Sequence, residues 1–216
     1  MLLGGNKIRE EIQGTLRGLN IADITNKVII TPLLNPTKQV ASNSCAVDLR
    51  LSTQFTVHKK SRVPSFDPLE RDYEYYKENL IDSYYVDLGN DFVLHPNQFI
   101  LGLTLEWVHL PLNYACYVIG RSSWGRQGLI IATATGVHPG FKGNLVLELF
   151  NAGEIPIHLY PGVRIAQLFI HSVDQGSSTI PEPDGSRAVG QTRPDAYSPL
   201  GEDEKDILAE LKREHD

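Results

Sequence analysis

Cysteine is nearly missing from this chain of 216 residues: Cys45 and Cys116 are the only two, far apart and outside any CxxC spacing. The seven histidines form no HxH or HxxxH pair. These absences exclude a disulfide framework and the usual zinc-ligand spacings. Both cysteines lie in apolar, strand-like runs and are expected to be small buried residues. A reducing cytoplasm is the expected compartment. There is no run of about 18 apolar residues to cross a bilayer. The opening MLLGGNKIREEIQG has no apolar signal-peptide core and is charged by Lys7. Neither GxGxxG nor GxxxxGK[ST] occurs, so the common dinucleotide and phosphate-loop fingerprints are excluded. Cations are in deficit, with 20 Lys+Arg against 26 Asp+Glu and a net charge of −6. That argues against a nucleic-acid polymer as partner, because duplex binding needs clustered Lys and Arg. A single nucleotide needs only a few placed cations and stays allowed.

What is present reads as a β protein. Residues 6–18 predict a short amphipathic helix on Ile8, Ile12 and Leu16, stopped by Gly18. Short β-branched or alternating segments follow at Val28–Ile30, Ala46–Leu51 and Gln54–Val57. Val47, Leu49 and Leu51 share one face, leaving Asp48 and Arg50 on the other. Residues 59–83 are charged and Tyr-rich and read as a surface insertion; Tyr73, Tyr75 and Tyr76 there are either a stacking platform or a cover for the sheet. From Tyr84 to Val173, apolar segments alternate with turn signals at Leu88-Gly89-Asn90, His95-Pro96-Asn97, Leu110–Asn113, His138-Pro139-Gly140, Asn151-Ala152-Gly153 and Tyr160-Pro161-Gly162. Such spacing predicts an all-β sandwich or barrel, so the fold class is mainly β. The expected organisation is one β domain over 1–173 and an arm over 174–216. Residues 174–201 of the arm are rich in Gly, Pro, Ser and Asp. Residues 202–215 predict a terminal helix burying Ile207, Leu208 and Leu211, on its own domain or on a neighbouring subunit.

The densest polar constellation is Gly120-Arg121-Ser122-Ser123-Trp124-Gly125-Arg126. Two hydroxyls, two guanidiniums and accessible backbone N–H groups form a compact anion-binding set, although an ordinary loop can look the same. The run Thr135–Gly143 has three glycines that let backbone approach a ligand. Then Leu145–Phe150 places one carboxylate, Glu148, in an apolar strand, on the same side as Val146 and Phe150. Such a carboxylate either pairs with a cation such as Arg126 or has a raised pKa suited to acid/base work. His138, alone in a Gly/Pro turn, is a surface residue or a ligand contact, with no nucleophile spacing beside it.

Together, the stretch Phe92–Glu106, Leu110-Pro111, the Gly120–Arg126 loop, Gly128-Leu129, Pro139-Gly-Phe-Lys-Gly143, Leu147-Glu148, Asn151, Pro161-Gly162 and Gln167-Leu168 strongly resembles the dCTP deaminase family. Ser44-Cys-Ala-Val-Asp48-Leu-Arg-Leu51 is similar to an early strand of that family. The resemblance implies a distorted β-barrel of the dUTPase-like type. It implies a homotrimer with nucleotide sites between subunits, acting on dCTP or dUTP, and Mg2+ bound with the triphosphate. The implied chemistry is removal of the cytosine amino group by water without zinc. By motif position Glu148 is the expected general acid/base, and Ser122 and Arg126 are expected to hold the water and the carboxylate. The expected nucleotide contacts are Arg121, Ser122, Ser123, Arg126, Ala134, His138, Val146 and Leu147, with Arg187 and Gln191 supplied by the tail.

Three departures stand out against that family. The tail has only Arg187-Ala188-Val189-Gly190-Gln191 where members usually carry a Lys-Tyr-x-Gly-Gln-like stretch. His138 replaces the usual Asp before Pro-Gly-Phe, which weighs against dUTP hydrolysis more than against deamination. The stretch Arg126–Pro139 is one residue shorter than in many monofunctional members, closer to bifunctional ones. The rival readings are a dUTP diphosphatase on the same scaffold and a non-catalytic deoxynucleotide-binding regulator.

Overall fold

A computed structural model of the chain describes residues 1–13, 27–59, 79–132, 136–174, 192–194, 204, 206 and 207. Helix α1 (Gly5–Gln13) buries Ile8 and Ile12 one turn apart, as its apolar stripe requires. The single-turn helix α2 (Pro36–Gln39) is capped by Asn35, whose side chain accepts from the Lys38 N–H, with Pro36 in the first turn. A third short helix, α3 (Ser122–Gly125), interrupts a series of strands.

The strands are β1 (Ile29–Thr31), β2 (Val47–His58), β3 (Ile81–Tyr85), β4 (Phe92–Leu94), β5 (Phe99–His109), β6 (Tyr114–Gly120), β7 (Leu129–Ile131), β8 (Gly136–Val137), β9 (Lys142–Asn151), β10 (Ile157–Leu159) and β11 (Arg164–Ser172). The turn signals fall between strands, and Gly89, Asn97, Gly140 and Gly162 take positive φ there. The segments Ala46–Leu51 and Gln54–Val57 merge into one long strand, β2. Its pairing with β5 shifts register between Leu51 and Phe55.

Nine strands make one sheet in the order β7-β9-β5-β2-β11-β6-β8, with β1 on β5 and β3 on β2; β4 and β10 pair separately. Every pairing is antiparallel. The sheet curls until β6 approaches the edge strand β7. A Cβ placed on Gly120, at the end of β6, would lie 3.2 Å from the Ile131 side chain at the end of β7. Val47, Leu49, Leu51, Leu147 and Leu149 fill the concave side and are fully buried. At about 25 cal/mol per Å2 of apolar surface, each such leucine contributes roughly 2 kcal/mol to the folded state.

Three expectations meet this structure differently. Cys116 is buried in β6, but Cys45 is exposed. It sits in a bend ahead of β2 where the Ala46 N–H donates to Ser44 Oγ, which turns the intervening residue outward. Ile207, expected in a buried stripe, is exposed. The rest of that terminal helix, apart from Glu204 and Asp206, lies outside the described residues, as do Leu16, Gly18, Tyr73, Tyr75 and Tyr76. Residues 81–83, expected inside the charged insertion, belong instead to β3, which pairs directly with β2; residues 60–78 of the insertion lie outside the described set.

Candidate active site

The polar loop begins where β6 ends. The Arg121 N–H donates to the Ile165 carbonyl of β11, and the Trp124 indole N–H donates to the Arg164 carbonyl at 3.0 Å. One helical turn follows, with the Trp124 and Gly125 N–H groups bonded back to Arg121 O. Arg121 offers no side-chain cap, so the Ser122 and Ser123 N–H groups at the start of α3 donate to nothing among the described residues. Both serines and Arg126 are exposed.

Arg121 is committed elsewhere. Its guanidinium pairs with Asp48 Oδ2, which also accepts from Arg164 at 2.9 Å, while Gln167 donates to Oδ1 at 3.0 Å. Two guanidiniums share one carboxylate, so the cluster keeps a net positive charge beside the loop. At the other end the loop is fixed by contact. Gly128 has φ +90°, and a Cβ there would stand 2.8 Å from the Gly153 nitrogen. Asn151 Oδ1 holds that turn through the Gly153 N–H.

From Gly128 the chain enters β7, antiparallel to β9, and its last described bond is Ala132 N–H to the Glu148 carbonyl. The side chains of β9 alternate: Leu145, Leu147 and Leu149 are buried, while Val146, Glu148 and Phe150 are half-buried on the outer face. Partial burial raises the Glu148 carboxyl above its ordinary range. Among the described residues it makes no hydrogen bond and no ion pair, so the pairing with Arg126 offered as one alternative is absent within the single chain. Beyond Ala132, the β9 edge at Val146 and Leu147 has no described strand on the β7 side. Leu147 itself is in the core, so only its backbone faces that edge. His138 is exposed at the end of β8 and accepts the Phe141 N–H through its carbonyl. Ala134, Arg187 and Gln191 lie outside the described residues.

A second carboxylate follows the same pattern as Glu148, one acidic residue in an apolar strand. Glu106 on β5 is fully buried; Gln39 donates to its Oε1 and the Arg50 N–H to its Oε2, both at 2.8 Å. Burial pushes it up to about 7, against the pull of these two donors. The signal was available, since Phe99–His109 is an apolar strand with one carboxylate, the same pattern that singles out Glu148.

Among the described residues no three His, Cys, Asp or Glu side chains gather where they could hold a metal ion. No described helix is long and apolar enough to cross a membrane.

With this geometry in place, the known proteins it matches are informative. Residues 15–173 match the family model of dCTP deaminase-like domains. A dCTP deaminase from Natronomonas pharaonis is 38% identical over 194 residues, covering 86% of this chain and 96% of its own. A dUMP-forming dCTP deaminase from Dictyoglomus thermophilum is also 38% identical, over 71% of this chain and 76% of its own. The chain belongs to the dCTP deaminase-like family. In fold it resembles the crystal structure of 2′-deoxycytidine 5′-triphosphate deaminase from Agrobacterium tumefaciens, with TM-score 0.56 and 23% identity over 78% of this chain; it spans 46% of that longer chain.

Proposed function

We propose that the protein deaminates dCTP hydrolytically, with Glu148 as general acid and base. The observation that carries this is the Glu148 carboxyl: half-buried, raised by burial, without a partner among the described residues, on a strand whose neighbour leads from the serine-arginine loop. A carboxylate so placed takes a proton from water as the oxygen attacks C4 of the cytosine, then returns it to the amino group that leaves as ammonia. dCTP and water give dUTP and ammonia, so the step balances.

The loop supplies the anion site. The N–H groups of Ser122 and Ser123, their hydroxyls and the Arg126 guanidinium face solvent and bind triphosphate oxygens, with Arg121 adding charge from its place on Asp48. Mg2+ enters as part of the substrate, held by the phosphates. Backbone groups of β9 at Val146 and Leu147, with Ala134, bind the base, and His138 meets the sugar. Arg187 and Gln191 close over the phosphates from the tail. Within one chain Arg126 does not reach Glu148. A homotrimer resolves this, with Ser122 and Arg126 of a neighbouring copy completing each site; exposed Tyr117, Ile119 and Ile130 supply apolar contact area for it. The cytoplasm is the proposed place of action.

The test is incubation of purified protein with dCTP and Mg2+ while ammonia, pyrophosphate and nucleotides are followed together. Ammonia release is expected, and pyrophosphate with dUMP would add the second hydrolysis named for the Dictyoglomus relative. A chain that binds dCTP without releasing ammonia overturns the assignment in favour of a regulator. Light scattering that finds only monomer removes the intersubunit site.

A further inference from the structure

The strand β5 breaks its ladders around Thr104–Glu106. Its pairing with β2 ends at Leu51↔Thr104, and its pairing with β9 skips from Leu103 to Trp107. Side chains replace the missing sheet bonds. On the β9 side, Thr104 Oγ1 accepts the Leu145 N–H and Asn144 donates to the Thr104 carbonyl. On the β2 side the substitute is Glu106, which takes the Arg50 N–H that a continuing strand would have taken. Beyond this point β2 leaves β5 and pairs through Val47–Arg50 with β11.

Gln39 ties the same two strands. Its Oε1 accepts the Asn35 N–H, which fixes the amide so that its nitrogen reaches both Glu106 Oε1 and the Asp48 carbonyl. Glu106 therefore faces two donors that cannot reverse, one from α2 and one from β2. Asp48 and Arg50 are set in place on either side of Leu49, and the Asp48 carboxylate is delivered to Arg121, Arg164 and Gln167. The remaining charged neighbour, Arg50, donates from one guanidinium nitrogen to the Gly162 carbonyl at 2.5 Å, and its charge favours the ionised form of Glu106.

We infer that Glu106 is a positioning residue for the Arg121–Arg126 loop. Its carboxylate sets the path of β2 where that strand leaves β5, and Asp48 passes the placement to Arg121. The inference rests on the reading of that loop as the triphosphate site. It assigns a function to a carboxylate 15 residues before the loop in sequence and buried from any substrate.

The experiment compares wild type with Glu106→Gln, Gln39→Met, Asp48→Asn and the Glu106→Gln/Asp48→Asn double variant. Glu106→Gln keeps the size but turns an NH2 toward a donor; Gln39→Met is the milder variant if the first does not fold. Hydrogen exchange reads the loop independently of activity. Amides of Arg121, Trp124 and Gly125 are expected to exchange about tenfold faster, while Ile130 on β7 and Ala132, bonded to the Glu148 carbonyl, keep their protection. Steady-state kinetics are expected to show KM for dCTP raised about tenfold through the triphosphate contacts, with kcat also lowered because Ser122 and Arg126 of the same loop complete the site. The double variant is expected to be no worse than the more damaging single one, because both act along one path.

Unchanged exchange at the loop in both Glu106→Gln and Gln39→Met overturns the inference, as does a double variant whose effects simply multiply. Faster exchange with unchanged KM in an active enzyme overturns instead the assignment of the loop to the triphosphate, and Glu106's part in binding goes with it. If wild type neither turns over nor binds dCTP, the functional reading fails, and exchange still decides whether Glu106 orders the loop.

Discussion

Glu148 and Glu106 lie on neighbouring strands of one sheet, each the single carboxylate in an apolar segment, and each has its carboxyl raised by burial. Their surroundings differ in what they supply. Glu106 is sealed, with two fixed donors aimed at its two oxygens. Glu148 is half-exposed and has none among the described residues. The first arrangement consumes the carboxylate's hydrogen-bonding capacity in holding the sheet together. The second leaves it available to water and substrate. A raised pKa thus does not separate these two carboxylates; the donors committed to Glu106 and lacking around Glu148 among the described residues do.

Replacing each carboxylate should break this comparison in opposite directions. Glu148→Gln is expected to lower kcat for ammonia release by about two to four orders of magnitude while the melting temperature stays within a few degrees. A variant that keeps its turnover would remove Glu148 from the chemistry. Glu106→Ala strands the Arg50 N–H and the Gln39 amide in the interior and is expected to cost about 2–5 kcal/mol of stability in urea unfolding. A loss below about 1 kcal/mol would show that the two donors find other partners.

The pH dependence of stability sharpens the contrast. A carboxyl raised in the folded state holds its proton more tightly there than in the unfolded chain. Its contribution is full below about 4.5 and is lost as pH rises through about 7. Glu106 is therefore expected to lower stability by up to about 3 kcal/mol across that window. Glu148→Gln should retain most of this slope and Glu106→Gln should lose it; a slope that survives in Glu106→Gln would assign it to other groups. Gln39→Met keeps the volume but removes the bonds to Glu106 and the Asp48 carbonyl and the acceptor of the Asn35 N–H. About 1–3 kcal/mol should be lost, seen in the same unfolding curves, with the midpoint of the pH transition moved upward because one bond favouring the charged form of Glu106 is gone.

Much of this was legible in the sequence, because strand grammar is local. The Gly, Pro and Asn turns marked the strand ends, and the alternation of Val47, Leu49 and Leu51 named the core face of β2. Placing Glu148 with Val146 and Phe150 on the outer face followed from the same period of two. What stayed hidden was set by partners distant in the chain. Asp48 stood on the polar face of its strand, but spacing could not say that Arg121 and Arg164 meet there, 73 and 116 residues away. Glu106 showed the same pattern as Glu148, and only the Gln39 and Arg50 donors tell the two apart. Cys45 was misplaced because one Ser-centred turn outweighed the apolar residues after it.

The anchoring of the serine-arginine loop has a consequence in time. Its first residue is bonded to Ile165, its tryptophan to Arg164, and the carboxylate that gathers its arginine is shared with Arg164 and Gln167. All of these belong to the last strand of the sheet. A chain leaving the ribosome carries the loop long before it carries the strand that shapes it, and closing so long an interval is slow compared with forming the hairpins on either side. The anchored form of this loop is accordingly among the last features the domain acquires, and unfinished or clipped chains that lack β11 retain much of the sheet sequence but not the contacts that order the loop.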